Sequence, residues 1–461
     1  MKEKPKPFLF PQYCKGCLRC IDSCPKGCIH AGVSVHPISG FIPVELQLEQ
    51  CNGCGLCLSA CPEPYGLQVA QEHTYAEFPD FETLSWVRAD YSSSAQTIPD
   101  RTIPMNSSKP IVMKGMHASA IGALLAGCRH FFGYPITPST EGAELMAKLL
   151  PKVNGVYVQA VSEVATVNFM YGCAGAGFPC MTYTSSPGFS LMLEGISYMI
   201  GAELPGVFVN VMRGGPGLGN IGPEQADIKL ACQGLGHGNT HAIVLAPSTP
   251  QEMLDLTMLA FRLAFQYRNP VVIVGDGYMG QMTGKVILPQ QMIQPGIPGW
   301  AVYGDAAHRQ NLITSIHLSE TDLEEHNIHI NQKYQQMSSE ERAETFCCED
   351  AEVLIVACNT PARMAKGAVQ ELRRKGIRVG LFRPITLWPF PIQALQECID
   401  NIKSIVMVEA GSGQLENELR LAMSCAGIVG PTVKSIQRYG GILPQKEEII
   451  DRVLSMEEVY V

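Results

Sequence analysis

At 461 residues the chain is too long for a single core, and two or three domains are expected. Hydrophobic residues make up 46% and charged ones 17%, which suits a well-buried α/β protein with large covered surfaces. A formal charge of -9 argues against nucleic acid as the main partner, and without an apolar run of ~18 residues no membrane span is expected. The opening Met-Lys-Glu-Lys-Pro-Lys-Pro lacks the apolar core of a signal peptide. Of 18 cysteines, eight fall into one spacing pattern and the others scatter through apolar segments. That usage fits a reducing, cytoplasmic location better than a disulfide scaffold.

The eight form an internal repeat. Cys14-x2-Cys17-x2-Cys20-x3-Cys24-Pro25 is followed by Cys51-x2-Cys54-x2-Cys57-x3-Cys61-Pro62. In such iron–sulfur runs the first three thiolates hold one cluster and the fourth crosses to the other. One [4Fe-4S] cluster is therefore assigned to Cys14, Cys17, Cys20 and Cys61, the second to Cys51, Cys54, Cys57 and Cys24. Four thiolates also hold zinc, but zinc does not call for this run twice, each ending in Cys-Pro. Cys28 stands outside the pattern and reads as a buried thiol. Residues 1–76 resemble a two-cluster ferredoxin, which implies one-electron transfer. Residues 77–108, punctuated by Pro79, Pro99, Pro104 and the run Ser92-Ser93-Ser94, read as an extended linker.

From 109 to 290, strand and helix patterns alternate. Strands are expected at 131–136, 155–161, 180–184, 207–212 and 271–274, helices at 118–126, 139–150, 163–174 and 188–201. Alternation at this length implies a parallel sheet with both faces covered. Thr137 is suited to cap the helix at 139–150, with Pro138 at its first position. Ser248-x-x-Gln251 reads as the capping box of a helix ending near Tyr267.

Three strand-end loops are unusually rich: Tyr134-Pro135-Ile136-Thr137-Pro138-Ser139, Thr184-Ser185-Ser186-Pro187-Gly188-Phe189-Ser190, and Arg213-Gly214-Gly215-Pro216-Gly217-Leu218-Gly219-Asn220. Ligands of open α/β sheets bind at such carboxyl ends. Gly217, Gly219 and Gly222 spell a dinucleotide fingerprint, but no Asp or Glu follows between Asp227 and Glu252, which argues against nicotinamide binding. The second loop lacks a Gly-x-Ser-x-Gly elbow, which argues against serine hydrolysis.

On these residues, with Ser162-Glu163 and Leu193-Glu194-Gly195-Ile196, the segment 114–290 resembles the α subunit of the 2-oxoacid:ferredoxin oxidoreductases. Gly-Pro-Gly-Leu-Gly-Asn-Ile at 215–221 and Gly236-His237-Gly238 are most similar to the branched-chain, 2-oxoisovalerate type. One departure is Met116-His117, where the family commonly carries Asn-Glu. The resemblance implies that this domain holds the aminopyrimidine end of thiamine diphosphate. Glu163 matches the position that supplies a carboxylate to that ring; its alternative is a capping residue in the field of the helix dipole. Tyr134, Pro135 and Ser186 match positions that shape the cofactor site, while Thr137 and Arg213 match positions that meet the substrate carboxylate. No Gly-Asp-Gly…Asn run is present to hold a metal-bound diphosphate: Gly275-Asp276-Gly277 lacks the later Asn. The resemblance places the diphosphate and Mg2+ on a separate β subunit, with a small γ subunit besides, in a dimer of hetero-oligomers.

Residues 291–345 look polar and irregular, a connecting arm carrying scattered histidines. From 346 to 461 the alternation returns, and this segment resembles a transketolase C-terminal-like domain. The fold class is thus α/β: a ferredoxin-like two-cluster module, a pyrimidine-binding parallel-sheet domain and a smaller α/β domain. The implied activity is oxidative decarboxylation of a 2-oxo acid to an acyl-coenzyme A. Electrons would leave through the clusters to an external ferredoxin or similar acceptor. Open alternatives are 2-oxoglutarate, pyruvate or an aryl 2-oxo acid as substrate, or a non-catalytic electron-transfer and assembly subunit.

Overall fold

The computed structural model describes residues 4, 6–37, 39–63, 66–69, 97–105 and 109–457, and these fall into two compact units divided near Arg88. Residues 77–96 of the expected linker lie outside the described residues. Its end does not: Arg101–Pro104 forms a strand antiparallel to Gln291–Gln294, so this stretch is built into the second unit.

In the first unit, two short helices, Arg19–Asp22 and Leu56–Ala60, occupy corresponding places in the two halves of the repeat. Each is preceded by a left-handed residue, Leu18 (φ +62°) in one and Gly55 (φ +78°) in the other. The repeated spacing thus imposes the same turn even where one half has no glycine to relax it. Strand pairs Pro7–Leu9 with Leu67–Val69, and Ile29–Ala31 with Val44–Leu46, close the unit around a core holding Cys20, Ile29, Val44, Cys57 and Leu67.

The second unit is built on two main sheets, beside the two-stranded pairs Ile111–Lys114 with Thr283–Val286 and Arg101–Pro104 with Gln291–Gln294. The larger has seven strands in the order Thr386–Trp388, Ile243–Leu245, Pro270–Asp276, Gly206–Met212, Cys180–Thr184, His130–Gly133 and Val156–Gln159. All neighbours are parallel except Thr386–Trp388, which runs antiparallel to Ile243–Leu245. The central strands Gly206–Met212 and Pro270–Asp276 are buried along their whole length, which explains their unbroken apolar runs. The smaller sheet runs Ala343–Phe346, Val379–Pro384, Val353–Val356, Ser404–Glu409 and Thr432–Gln437, with only the first strand antiparallel.

Several local expectations are corrected. The helix after Gly133 begins at Thr140 with Ser139 before it, while Thr137-Pro138 is a cis peptide in a turn. That turn is closed by the N–H and Oγ of Ser139, which both donate to the Ile136 carbonyl. The long helix Pro250–Tyr267 is capped by Thr249, whose Oγ1 accepts from Glu252 N, and the Glu252 carboxylate accepts from Ser248 N at 2.7 Å. The capping box is real but displaced by one residue. Residues 320–337, expected to be irregular, form an 18-residue helix, Glu320–Met337. Only Ile330, Lys333, Tyr334 and Met337 on it are buried, a stripe too short to give a clear period.

The two sheets are joined through buried polar contacts. Asp276 ends its strand, as expected, and its carboxylate accepts from Met279 N, Thr360 N and Thr360 Oγ1 at 2.8–2.9 Å. Arg383 is bridged by Glu252 and Glu344, each at 2.6 Å. His241 stacks on Trp388 with ring centroids 4.7 Å apart, anchoring the antiparallel seventh strand.

Candidate functional site

The eight repeat cysteines gather into two sets, as their spacing predicts. Cys14, Cys17, Cys20 and Cys61 line one small cavity, and Cys24, Cys51, Cys54 and Cys57 line another, joined by the buried Cys28. Burial first, and then the neighbouring Cys14, Cys61 and Cys17 thiols, push the Cys20 thiol up to about 11. Four thiols crowded this closely repel one another as thiolates unless an electron-poor centre holds them. The donor set therefore fits a pair of iron–sulfur clusters.

In the second unit the three rich loops meet at the carboxyl ends of adjacent parallel strands. Ser162 caps the helix Glu163–Gly175 by accepting from Ala165 N at 3.2 Å, so Glu163 takes its first position. The Glu163 side chain is 4% exposed and makes no hydrogen bond or ion pair among the described residues. A carboxylate left without a partner in a largely covered pocket is open to a ligand group that brings its own donor. The space around it is also kept open. A Cβ on Gly188 would lie 2.4 Å from both Glu163 Oε1 and Thr184 Oγ1, so only glycine leaves the carboxylate where it is.

Arg213 follows the strand Gly206–Met212 and is 8% exposed. Its Nη1 donates to the Thr137 carbonyl at 2.8 Å and its Nη2 to Leu218 O at 3.3 Å. Its Nε finds no partner among the described residues, nor do the buried hydroxyls of Thr184 and Ser185 or Asn210 Oδ1. So many unsatisfied buried polar atoms at one sheet end are unusual for a region whose only task is folding. Ser186 Oγ accepts from Arg213 N at 3.1 Å and donates to Asp227 Oδ2. Its partner is a carboxylate rather than an imidazole, which agrees with the exclusion of serine hydrolysis. Tyr134, Pro135 and Thr137 are exposed on the rim, the tyrosine at 41%.

Sequence reasoning brought Glu163, Thr137, Ser186 and Arg213 to one place. It missed Gly188, Asp227 and the brace behind the glycine-rich loop. That brace comes from the smaller sheet: Asn220 Nδ2 donates to Gly440 O at 2.9 Å, and Gly440 N donates to Glu224 Oε2 at 3.1 Å. Glycines 217 and 219, at φ +72° and +51°, serve the turn of this loop rather than a dinucleotide. Asp276, with three donors on its carboxylate, is not disposed to hold a metal-bound diphosphate.

A buried lone carboxylate at a helix start beside a parallel-sheet edge, joined in sequence to an iron–sulfur module, defines a cofactor-dependent redox enzyme. Comparisons with known proteins give the family. Residues 121–348 match the family model for pyruvate flavodoxin/ferredoxin oxidoreductase, thiamine diphosphate-binding, and 351–449 match pyruvate:ferredoxin oxidoreductase core domain II. Residues 13–64 match a 4Fe-4S dicluster domain. The ketoisovalerate oxidoreductase subunit VorB of Methanothermobacter thermautotrophicus is 45% identical, over 74% of this chain and 96% of its own. The 2-oxoglutarate synthase subunit KorA of Archaeoglobus fulgidus is 36% identical, over 73% and 96%. The solved 2-oxoglutarate:ferredoxin oxidoreductase from Magnetococcus marinus, with 2-oxoglutarate, coenzyme A and succinyl-CoA bound, superposes with a TM-score of 0.68. It is 27% identical and covers 75% of this chain and 65% of the solved one. The chain belongs to the 2-oxoacid:ferredoxin oxidoreductase family, as a subunit with an N-terminal 4Fe-4S domain. No helix among the described residues is long and apolar enough to cross a membrane.

Proposed function

We propose that this chain is the pyrimidine-binding subunit of an enzyme that converts a branched-chain 2-oxo acid, 2-oxoisovalerate in the first instance, to its acyl-coenzyme A. The carrying observation is Glu163: buried, without a partner, and faced by a glycine that keeps its carboxylate free. The preference for a branched substrate is supported by the 45% identity to two ketoisovalerate subunits against 36% to 2-oxoglutarate subunits.

Thiamine diphosphate, when bound, supplies the electron sink for loss of carbon dioxide from a 2-oxo acid. From the first position of its helix, Glu163 would hold or return a proton at the pyrimidine ring. Tyr134, Pro135 and Ser186 shape the wall around it. Arg213 presents a guanidinium whose Nε is unpaired to the substrate carboxylate, while Thr137 O holds one of its terminal nitrogens. The eight cysteines would hold two [4Fe-4S] clusters, which would supply one-electron transfer towards a ferredoxin-type acceptor. Coenzyme A accepts the acyl group.

A β subunit would bring the diphosphate and Mg2+ site, and a γ subunit would complete the assembly. The site's rim exposes Tyr134, Val161, Val164, Leu218 and Ile221, an apolar edge suited to a partner chain. The test is an anaerobic panel of 2-oxo acids with the single chain and with the assembled subunits, thiamine diphosphate, Mg2+ and coenzyme A supplied. The expected result is no turnover from the single chain and highest kcat/KM for branched acids from the assembly. Full activity of the single chain, or a preference for 2-oxoglutarate or pyruvate, would overturn the corresponding half of this reading.

A further inference from the structure

Behind Arg213 lies a chain of buried polar groups that the reading above leaves without a task. Asp227 immediately precedes the short helix Ile228–Gln233. An aspartate there ordinarily accepts from an amide of the first turn, yet this side chain makes no capping bond. Its carboxylate is turned inward and is 7% exposed. There Oδ2 accepts from Ser186 Oγ at 2.5 Å and from Asn210 Nδ2 at 2.9 Å. The backbone N–H of Arg213 donates to the same Ser186 Oγ at 3.1 Å. The hydroxyl has one proton to give, and its other acceptor, Arg213 O, is farther away at 3.5 Å. The result is a directed sequence, Arg213 N–H to Ser186 O–H to Asp227, in which each donor polarises the next.

Stability does not explain this arrangement. Burial pushes the Asp227 carboxyl up, against two hydrogen bonds from neutral groups that pull it down. A buried carboxylate without a cation is a poor way to stabilise a fold, and a helix cap has been given up as well. What the arrangement does provide is placement. It ties the start of the helix Ser186–Gly201, the strand Gly206–Met212 and the backbone at Arg213 to one point. The guanidinium hangs from that backbone, and its reach to Thr137 O depends on where the backbone sits.

We infer that Asp227 is a positioning residue for the reaction: acting through Ser186, it fixes the backbone of Arg213 and so the aim of the guanidinium at the substrate carboxylate. Asp227 does not itself touch substrate. This rests on the reading of Arg213 given above.

The experiment is a double-mutant cycle in the assembled enzyme with Arg213→Ala, Asp227→Ala, Asp227→Asn, Ser186→Ala and the Arg213→Ala/Asp227→Ala pair. KM is measured separately for the 2-oxo acid and for coenzyme A. Asp227→Ala should lower kcat/KM for the 2-oxo acid by about 10–100-fold, up to the cost of a 1 Å misplacement, with KM for coenzyme A unchanged. Asp227→Asn keeps an acceptor oxygen for Ser186 and should recover most of the loss. The double variant should be no worse than Arg213→Ala alone, because both changes disable one device. Losses that multiply in the double variant would overturn the role of Asp227 while leaving that of Arg213 standing. Wild-type kinetics for Arg213→Ala would overturn the reading of Arg213, and the proposed route with it. Thermal melting and cluster absorption report folding. If Asp227→Ala fails to assemble, Ser186→Ala decides: it cuts the same chain while leaving the carboxylate bonded to Asn210, and normal kinetics there would overturn the proposal.

Discussion

Replacing Gly188 by alanine separates the site's chemistry from the fold's stability. Gly188 lies in the first turn of the helix Ser186–Gly201, in a conformation open to any residue. The added methyl would lie 2.4 Å from Glu163 Oε1 and from Thr184 Oγ1, and 2.9 Å from Glu163 Cδ. Comfortable contact begins near ~3.5 Å, so about 1 Å must be found. Thr184 is fully buried, and Gly188 is held by its N–H to Ser185 O at 2.7 Å. The part free to move is the Glu163 carboxylate. Overpacking costs ~1–3 kcal/mol, and alanine in a helix returns ~0.5–1 kcal/mol relative to glycine, leaving a net loss of ~0–2.5 kcal/mol. A positioned group displaced by ~1 Å costs ~10²-fold in rate. Gly188→Ala should therefore melt only a few degrees lower with intact cluster absorption, while kcat/KM of the assembled enzyme drops ~100-fold. Gly172→Ala is the control: a Cβ there meets nothing within 4 Å, and turnover should not change. Wild-type turnover from folded Gly188→Ala protein would refute the idea that the placement of the Glu163 carboxylate matters.

Glu163→Gln keeps the size of the side chain and should leave folding intact, since a first-turn carboxylate contributes only ~0.3–1 kcal/mol through the dipole. Turnover, and exchange of the cofactor's C2 proton followed by NMR, should fall by ~10²–10⁴, and unchanged exchange would reduce Glu163 to a helix-start residue. Anaerobically purified protein should hold about eight iron and eight sulfide per chain, and Cys20→Ser should lower this to about four of each. Zinc in place of iron would defeat that assignment. Glu409, fully buried at the end of its strand, has its carboxyl pushed by burial from 4.5 to about 7. The folded state then binds this proton more tightly than the unfolded state. The stabilisation is complete below pH 4.5 and is lost as pH rises towards 7, by about 3 kcal/mol. Glu409→Gln should flatten that part of a melting-temperature profile, and an unchanged slope would show that Glu409 is not its source.

Much of the site was legible in the residues because its signals are local. The eight cysteines fall into two sets through gaps of two and three residues, and the halves repeat, so the grouping needs no knowledge of the fold. Ser162-Glu163 announces a helix start from one turn of sequence. The buried strands stand out because both faces are covered and their apolar runs are unbroken. Where a feature depends on atoms far apart in the chain, the residues are silent. Nothing near Gly188 says that Glu163 lies against it, and nothing in Asn220 foretells a bond to Gly440, 220 positions away. Thr386–Trp388 reads as part of the second α/β segment, yet it completes the first sheet because the edge at Ile243–Leu245 was open to it. Asp227 has the sequence of a helix cap, and only the packing of Ser186 and Asn210 against it turns the carboxylate inward. Chain-local chemistry thus singled out the candidate residues, whereas long-range packing decided which buried polar groups, such as Arg213 Nε, are left unpaired.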